Sequence, residues 1–528
     1  MSKLKELELL LAGGKITRRE FIARVSALGL MAAVSPSLLS TTAEAAPKKG
    51  GRVKIGSAGG STTDSMDPGT LMHTMPQTVN QCLRGMLVEV DYKGEPIPEL
   101  AESWEASPDA LKWTFKLRQG VEFHNGKTMT AEDVVYSFNE HRGEDTKSAA
   151  KGVVEPIVDI KADGKFTVVF TLKEGNADFP FIASDYHIPI IPSGTKGKEY
   201  EKGIGTGPFS MVAWEPGVRF LGKRNPNYFR EDRPYFDEVE IIGIADTNAR
   251  TNALKTGQVH VINRCEPKTF HLLEKTPNVQ ALKLEGARHY TIPMLTTMKP
   301  YDNNDVRLGL KYAIDRQLLV DKILRGYGYI GNDHPIPKIN KYYAKDLPQR
   351  EYDPDKAKSH LKKAGMLNHT FKLHAADAAF PGAVDASVLI QESARKAGIK
   401  IQVVREPDDG YWENVWIKKE WVQCYWSGRP TADWMFSLAY SKDANWNDTK
   451  WNHPKFNELL KAARAELDDK KRRELYVECQ SIVRDEGATP VPAFALQLSA
   501  ASKKLAFKNP AANWEFDGFR LPERWWFA

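Results

Sequence analysis

The sequence predicts a mixed α/β protein of more than one lobe, and three observations carry that expectation. The chain has 528 residues, room for three or four domain-sized units at about 150 residues each. Stretches in which apolar and polar residues alternate, as in half-buried strands, are interleaved with stretches of helical spacing. No segment repeats at a fixed period, which argues against solenoids and propellers.

Arg52-Val53-Lys54-Ile55 alternates with period two and runs into Gly56-Ser57-Ala58-Gly59-Gly60-Ser61, which predicts a strand ending in a permissive loop. Leu111, Trp113, Phe115 and Leu117 alternate with Lys112, Thr114, Lys116 and Arg118, the pattern of an antiparallel strand with one face buried. Thr130-Ala131-Glu132-Asp133 offers a hydroxyl and, three residues on, a carboxylate before Val134, Val135 and Phe138, so a helix is expected to start there. Asn304-Asp305 precedes Val306, Leu310, Ala313 and Ile314 at helical spacing. Asp353-Pro354 precedes Ala357, Leu361 and Ala364, with Gly365 behind them: a cap, a first-turn proline and a terminal glycine. Phe456, Leu459, Leu460, Ala463 and Leu467 form a further apolar stripe, expected to face a core.

Hydrophobic residues make up 41% and charged residues 27% of the chain, with 38 glycines and 31 prolines spread along it, the composition of a soluble globular protein. Lysine and arginine exceed aspartate and glutamate by 74 to 68. The first 45 residues carry six positive and four negative side chains, which leaves the remaining chain at only +4. That gives no support to nucleic-acid binding, which needs a dense basic face.

Those first residues read as an address. Arg18-Arg19 stands before an apolar stretch from Val25 to Leu39, which runs on into Ala43-Glu44-Ala45. The order resembles a twin-arginine export signal with cleavage after Ala45. The apolar stretch is shorter than the roughly 18 to 20 residues that span a bilayer, so a soluble periplasmic protein is expected. Four cysteines, Cys82, Cys265, Cys424 and Cys479, exclude a disulfide scaffold but leave room for one or two bridges or for buried thiols.

Most catalytic motifs are absent. Gly120 to Lys127 has five residues between its glycines, where a phosphate loop has four, and a turn between strand and helix is expected instead. Neither Gly-x-Ser-x-Gly nor His-Glu-x-x-His occurs, and the closest histidines, His369 and His374, lie on an alternating segment. No metal site is written locally, and no cofactor is expected. The concentrated feature is aromatic: Trp412, Trp416, Trp421, Trp426, Trp434, Trp446 and Trp451 are seven of the 13 tryptophans. Among them lies the loop Trp426-Ser427-Gly428-Arg429-Pro430-Thr431-Ala432-Asp433-Trp434. A carboxylate among indole faces suits an ammonium group by charge and cation–π attraction, and the same faces suit sugar rings. At least half of these tryptophans are expected in a core or lobe contact.

The stretch from Leu100-Ala101-Glu102-Ser103-Trp104 through Trp113-Thr114-Phe115 and Gly120-Val121-Glu122-Phe123-His124-Asn125-Gly126-Lys127 to Thr130-Ala131-Glu132-Asp133-Val134-Val135-Tyr136-Ser137-Phe138 resembles the signature of the family 5 extracellular solute-binding proteins. These are the dipeptide, oligopeptide and nickel receptors of ABC importers. Gly205-Thr206-Gly207-Pro208-Phe209, residues 304–316 and residues 352–357 agree with it in order. The resemblance implies a two-lobed fold of the periplasmic-binding-protein type, closing by hinge motion. It divides the chain into a first lobe at 46–95, an extra subdomain at 96–204, the first lobe again at 205–290, a second lobe at 291–490 and a return segment at 491–528. It implies a receptor without enzymatic activity that delivers an amine-bearing solute, a peptide or amino-acid derivative, to a permease in the inner membrane. A monomer is expected, since the lobes must move relative to each other and no apolar repeat suggests an oligomer seam. An oligosaccharide receptor of the same fold is the alternative, and a secreted hydrolase the more distant one.

By the same resemblance, Asp433 matches the aspartate that takes a peptide's amino terminus, although the usual Asp-Pro-Asp reads Thr431-Ala432-Asp433 here. Trp434 and Trp426 flank it as ligand faces, Arg429 offers a fork to a ligand carboxylate, and His73 and Tyr290 face the cleft.

Overall fold

The computed structural model describes residues 47–528 except 409, 410, 443 and 445. The export signal expected before Ala45 lies outside the described residues.

Residues Lys48 to Phe527 form one compact unit around several distinct cores. The first lobe is built on a nine-stranded sheet in which Arg52–Ser57 pairs in parallel with Glu238–Gly243 on one side and Val261–Ile262 on the other. Val53 and Ile55 are fully buried, as the alternation requires, and the strand runs on to Ser57. The extra subdomain carries its own antiparallel sheet, with Ala101–Ala106, Lys112–Leu117, Thr167–Leu172 and Ile157–Ala162 side by side in that order. Its core packs Phe138, Phe170 and Phe179 at steep ring angles, with centroids 4.8 and 5.0 Å apart. Truncating one such ring to alanine costs about 3–5 kcal/mol. Helix Ala131–Asn139 starts where expected: the Asp133 carboxylate accepts from the Thr130 amide at 2.9 Å. Residues 120–128 form the expected turn, closed by the Phe123 amide on the Lys127 carbonyl at 2.9 Å.

The second lobe packs helices around the parallel pair Thr370–Ala375 and Lys400–Arg405. Helix Pro354–Lys363 is capped by Asp353, which accepts from the Lys356 amide at 2.9 Å. Helix Asn304–Tyr312 is capped one residue earlier than the sequence indicated, by the Asn303 side chain. The stripe on helix Pro454–Ala465 ends before Leu467: the helix stops two residues short of it and leaves Leu467 43% exposed. All four cysteines are buried free thiols, so no bridge forms among them.

Two long antiparallel strands, Val279–Thr291 and Ala493–Ser502, join the lobes. Val279 and Leu498 pack in a first-lobe core, whereas His289–Thr291 pairs with Cys424–Trp426 of the second lobe. Their ladder is interrupted between Glu285 and His289, which frees Ala287 and Arg288 to line the space between the lobes. The return segment is stitched to the start of the subdomain by a buried ion cluster: Arg230 and Arg524 each reach Glu89 at 2.7 Å, and Arg520 pairs with Glu99 and Glu523. The subdomain also reaches the second lobe directly. Asp178 meets Arg472 at 2.8 Å, Glu174 meets Lys461 at 3.3 Å, and the Ala177 amide donates to the Arg464 carbonyl at 2.8 Å. No helix among the described residues is long and apolar enough to cross a membrane.

Candidate functional site

The aromatic loop leaves strand Cys424–Trp426 and has to pass the interruption in the long strands. Gly428 lies at φ +78°, and any side chain there would run into Ala287, so only glycine fits. The turn sets Arg429 and Pro430 against the space between the lobes. Thr431 then starts helix Ala432–Ala439, its hydroxyl accepting from the Trp434 amide at 3.1 Å.

Asp433 in the first turn is favoured by the helix dipole. It is buried and already paired: Arg464 Nε lies 3.1 and 3.2 Å from its two oxygens, and Ser437 Oγ lies 3.3 Å away. Burial pushes its carboxyl above the usual range and Arg464 pulls it back. Arg429 is the opposite case. Its Nη1 donates to the Gly428 carbonyl at 2.6 Å, and it has no carboxylate partner among the described residues. Burial lowers its pKa.

The space between the lobes is one wide chamber of about 640 Å³ with two smaller recesses. The wide chamber takes Met72, Thr74 and Gln77 from the first lobe, Asp385 and Ser427 from the second, and Tyr290 from the strand that joins them. One recess is walled by Arg429, Thr431, Asp178 and Tyr342. The other is walled by Gln81, Asp185, Tyr186 and Trp434. Asn513 and Trp514 line all three. Several buried polar atoms of residues lining this space have no hydrogen-bond partner, among them Asn513 Oδ1, Gln81 Oε1 and Asp178 Oδ2. Buried groups left unpaired in this way are what a polar ligand satisfies.

Of the residues singled out from sequence, Arg429, Trp434 and Tyr290 line the space, and Tyr290 is stacked on Phe380 at 3.8 Å. Asp433 sits behind the wall formed by Thr431 and Ala432, its charge met by Arg464. Trp426 turns inward, 6% exposed, with its indole N–H on Asp448 at 3.3 Å. His73 stands outside the three cavities and bonds to Asp64 at 2.6 Å. The remaining tryptophans divide: Trp421 and Trp451 are core, Trp412 and Trp416 pack edge to face against each other, and Trp446 is exposed. Asp448, boxed in by Trp416 and Trp426, is pushed up to about 7 by burial.

Sequence reasoning missed Trp514, Asn513, Tyr186 and Asp178. Trp514 and Asn513 stand in the return segment, far along the chain from the aromatic cluster. Their one local signal was an Asn-Trp pair directly before the acidic and aromatic residues Glu515 and Phe516.

Residues 95–448 match the model of bacterial extracellular solute-binding proteins, family 5. The chain belongs to this family. It is 28% identical to di/tripeptide-binding protein 1 of Pseudomonas aeruginosa over 74% of this chain and 79% of that protein. It is 27% identical to the glutathione-binding protein GsiB of Pectobacterium atrosepticum, over 88% and 93%. Among solved structures it is similar to the periplasmic binding protein DppA of Helicobacter pylori in complex with the peptide STSA. There the TM-score is 0.73 at 25% identity, covering 89% of this chain and 98% of the other. The fold is the two-lobed fold of these binding proteins, and the chain is a solute-binding receptor of the ABC-importer type.

Proposed function

We propose that this receptor encloses a small amine-bearing solute, a peptide or amino-acid derivative, between its lobes and hands it to an inner-membrane permease without altering it chemically. The observation that carries this reading is the recess lined by both Arg429 and Asp178, the first with no ion pair among the described residues and the second, though paired with Arg472, with one oxygen that accepts no hydrogen bond. A zwitterion matches that wall: its carboxylate takes the guanidinium fork, and its ammonium approaches the acidic pair Asp178 and Asp433 from the Asp178 side. Trp514 and Trp434 supply flat faces for the body of the solute, and Tyr290 lines the wider chamber. The relatives are named for peptides and glutathione, which favours this reading over the oligosaccharide alternative. In this proposal the receptor acts as a periplasmic monomer, exported on the twin-arginine signal that ends near Ala45.

Native mass spectrometry of protein taken from the periplasm tests the reading. The expected result is a monomer beginning at Ala46, carrying a small amine-bearing molecule that leaves unchanged after denaturation. A bound neutral glycan, or turnover of a peptide in excess of protein, would overturn it.

A further inference from the structure

We infer that the solute is net anionic, a peptide or amino-acid derivative with more carboxylates than ammonium groups, with one carboxylate seated on Arg429. This rests on the proposed reading of the cleft and specifies its charge. Of the acids beside the Arg429 recess, Asp178 is met by Arg472 at 2.8 Å and Asp433 by Arg464 at 3.1 Å, and Asp91, which lines it without an ion pair, is matched by the unpaired Lys93 of the same wall. The arginine in that wall has no carboxylate within ion-pair distance among the described residues; Asp185 attracts it only from the neighbouring recess, and beyond its own loop carbonyl its Nε and Nη2 carry no hydrogen bond there. That geometry leaves donors for a carboxylate.

The wide chamber repeats the imbalance. Lys268, Arg288, Lys322 and Arg325 line it without an ion pair among the described residues, and Arg288 lies only over the Tyr425 ring. The lining acids without an ion pair are Asp385 and Glu266, and Glu266 is engaged by the Lys268 amide at 3.4 Å. Glu515 is already held by Arg264 at 2.7 Å, and Asp517 by Arg524 at 2.8 Å. Charge of one sign between low-dielectric walls focuses the field on whatever enters. A neutral solute leaves that surplus uncompensated as closure removes water, and a cationic one adds to it.

Calorimetric titration of the full chain with Ala-Glu-Ala, Ala-Ala-Ala, Ala-Lys-Ala, N-acetyl-Ala-Glu-Ala and Ala-Glu-Ala amide at low and moderate salt tests this. Ala-Glu-Ala is expected to bind about tenfold more tightly than Ala-Ala-Ala and about a hundredfold more tightly than Ala-Lys-Ala, with the margin narrowing as salt rises. Amidation of Ala-Glu-Ala should cost about tenfold to a hundredfold in the native chain and less than about threefold in Arg429→Gln, because the lost partner is the same charge-assisted bond. Arg429→Lys, which keeps the charge without the fork, should fall between; thermal melting of both variants establishes that they fold.

Equal affinity for the acidic and basic peptides overturns the inference and leaves the peptide-receptor reading standing. Undiminished binding of the acetylated peptide overturns the role of the amine and leaves the inference standing. Failure of all five peptides to bind overturns both.

Discussion

Asp433 and Arg464 are a buried pair, so their value is felt mainly when one partner is removed. Asp433→Asn leaves the Arg464 guanidinium facing Asp433's place without its charge, with Arg472 nearby already committed to Asp178. Breaking such a pair costs about 3–5 kcal/mol, and the lower end is expected here because the Arg464 side chain keeps 26% exposure. The expected result is a clear fall in the melting temperature of the ligand-free protein; an unchanged melt would place Asp433 in the cleft as an idle ligand group. Gly428 makes a second residue-scale case. Gly428→Ala combines left-handed strain, at about 1 kcal/mol or more, with a collision against Ala287. It should weaken solute binding as well as stability, since the displaced turn carries Arg429. Affinity equal to the native chain's would show that the loop has room to move.

Among the elements, those written by local rules were legible in the sequence. The strand Lys112–Leu117 and the helix behind Asp353 follow from alternation and from a cap with a first-turn proline, signals that need only neighbours in the chain. The Arg429–Trp434 loop was legible too, because glycine, proline and aromatic residues crowd it. What escaped was set by distance. Trp514 reaches the cleft only because residues 493–528 return to the first lobe, and the pairing of Asp433 joins helix Ala432–Ala439 to helix Pro454–Ala465. The exposure of Leu467 escaped for a different reason: the helix stops at Ala465 as the chain turns toward Asp468, whose side chain caps the next helix.

For the whole molecule, pH dependence follows from histidines buried as neutral rings. Burial lowers His141 and His289 to about 4 and His334 to about 3, against an ordinary value of 6.5. Between those limits the unfolded chain binds more protons, so stability is complete above about 6.5 and is lost as pH falls toward 4. Four buried acids oppose this: Asp448, at about 7, Glu99, at about 6, and Asp433 and Asp517 are raised by burial and gain stability over part of the same range. His124 and His260, lowered by burial as well, act with the other three histidines, so urea midpoints should decline from pH 7 to pH 4.5. His334→Met should flatten the decline, because both ring nitrogens of His334 lack a partner. A midpoint rising with acid would show that the acids dominate. Closure belongs to the same scale. A solute touching both lobes shifts open and closed populations by its difference in affinity for them, so the radius of gyration measured by X-ray scattering should fall on saturation with ligand, and no change would mean a rigid cleft.

The contacts of Glu174, Ala177 and Asp178 with the second lobe give the receptor a release rate that depends on its medium. Each clasping charge pair joins a segment of the subdomain to helices on the far side of the cleft, and Lys461 and Glu174 are open to solvent. Exposed pairs weaken as the screening length shrinks, from about 10 Å at 0.1 M salt to about 3 Å at 1 M. Escape of a trapped solute requires the clasp to part, whereas entry does not. Residence time should therefore shorten with ionic strength more than the association rate of a neutral probe changes, and Lys461→Gln should remove part of that dependence. In a compartment whose salt follows the surroundings, osmotic conditions would then set how long the receptor holds its cargo before a permease meets it.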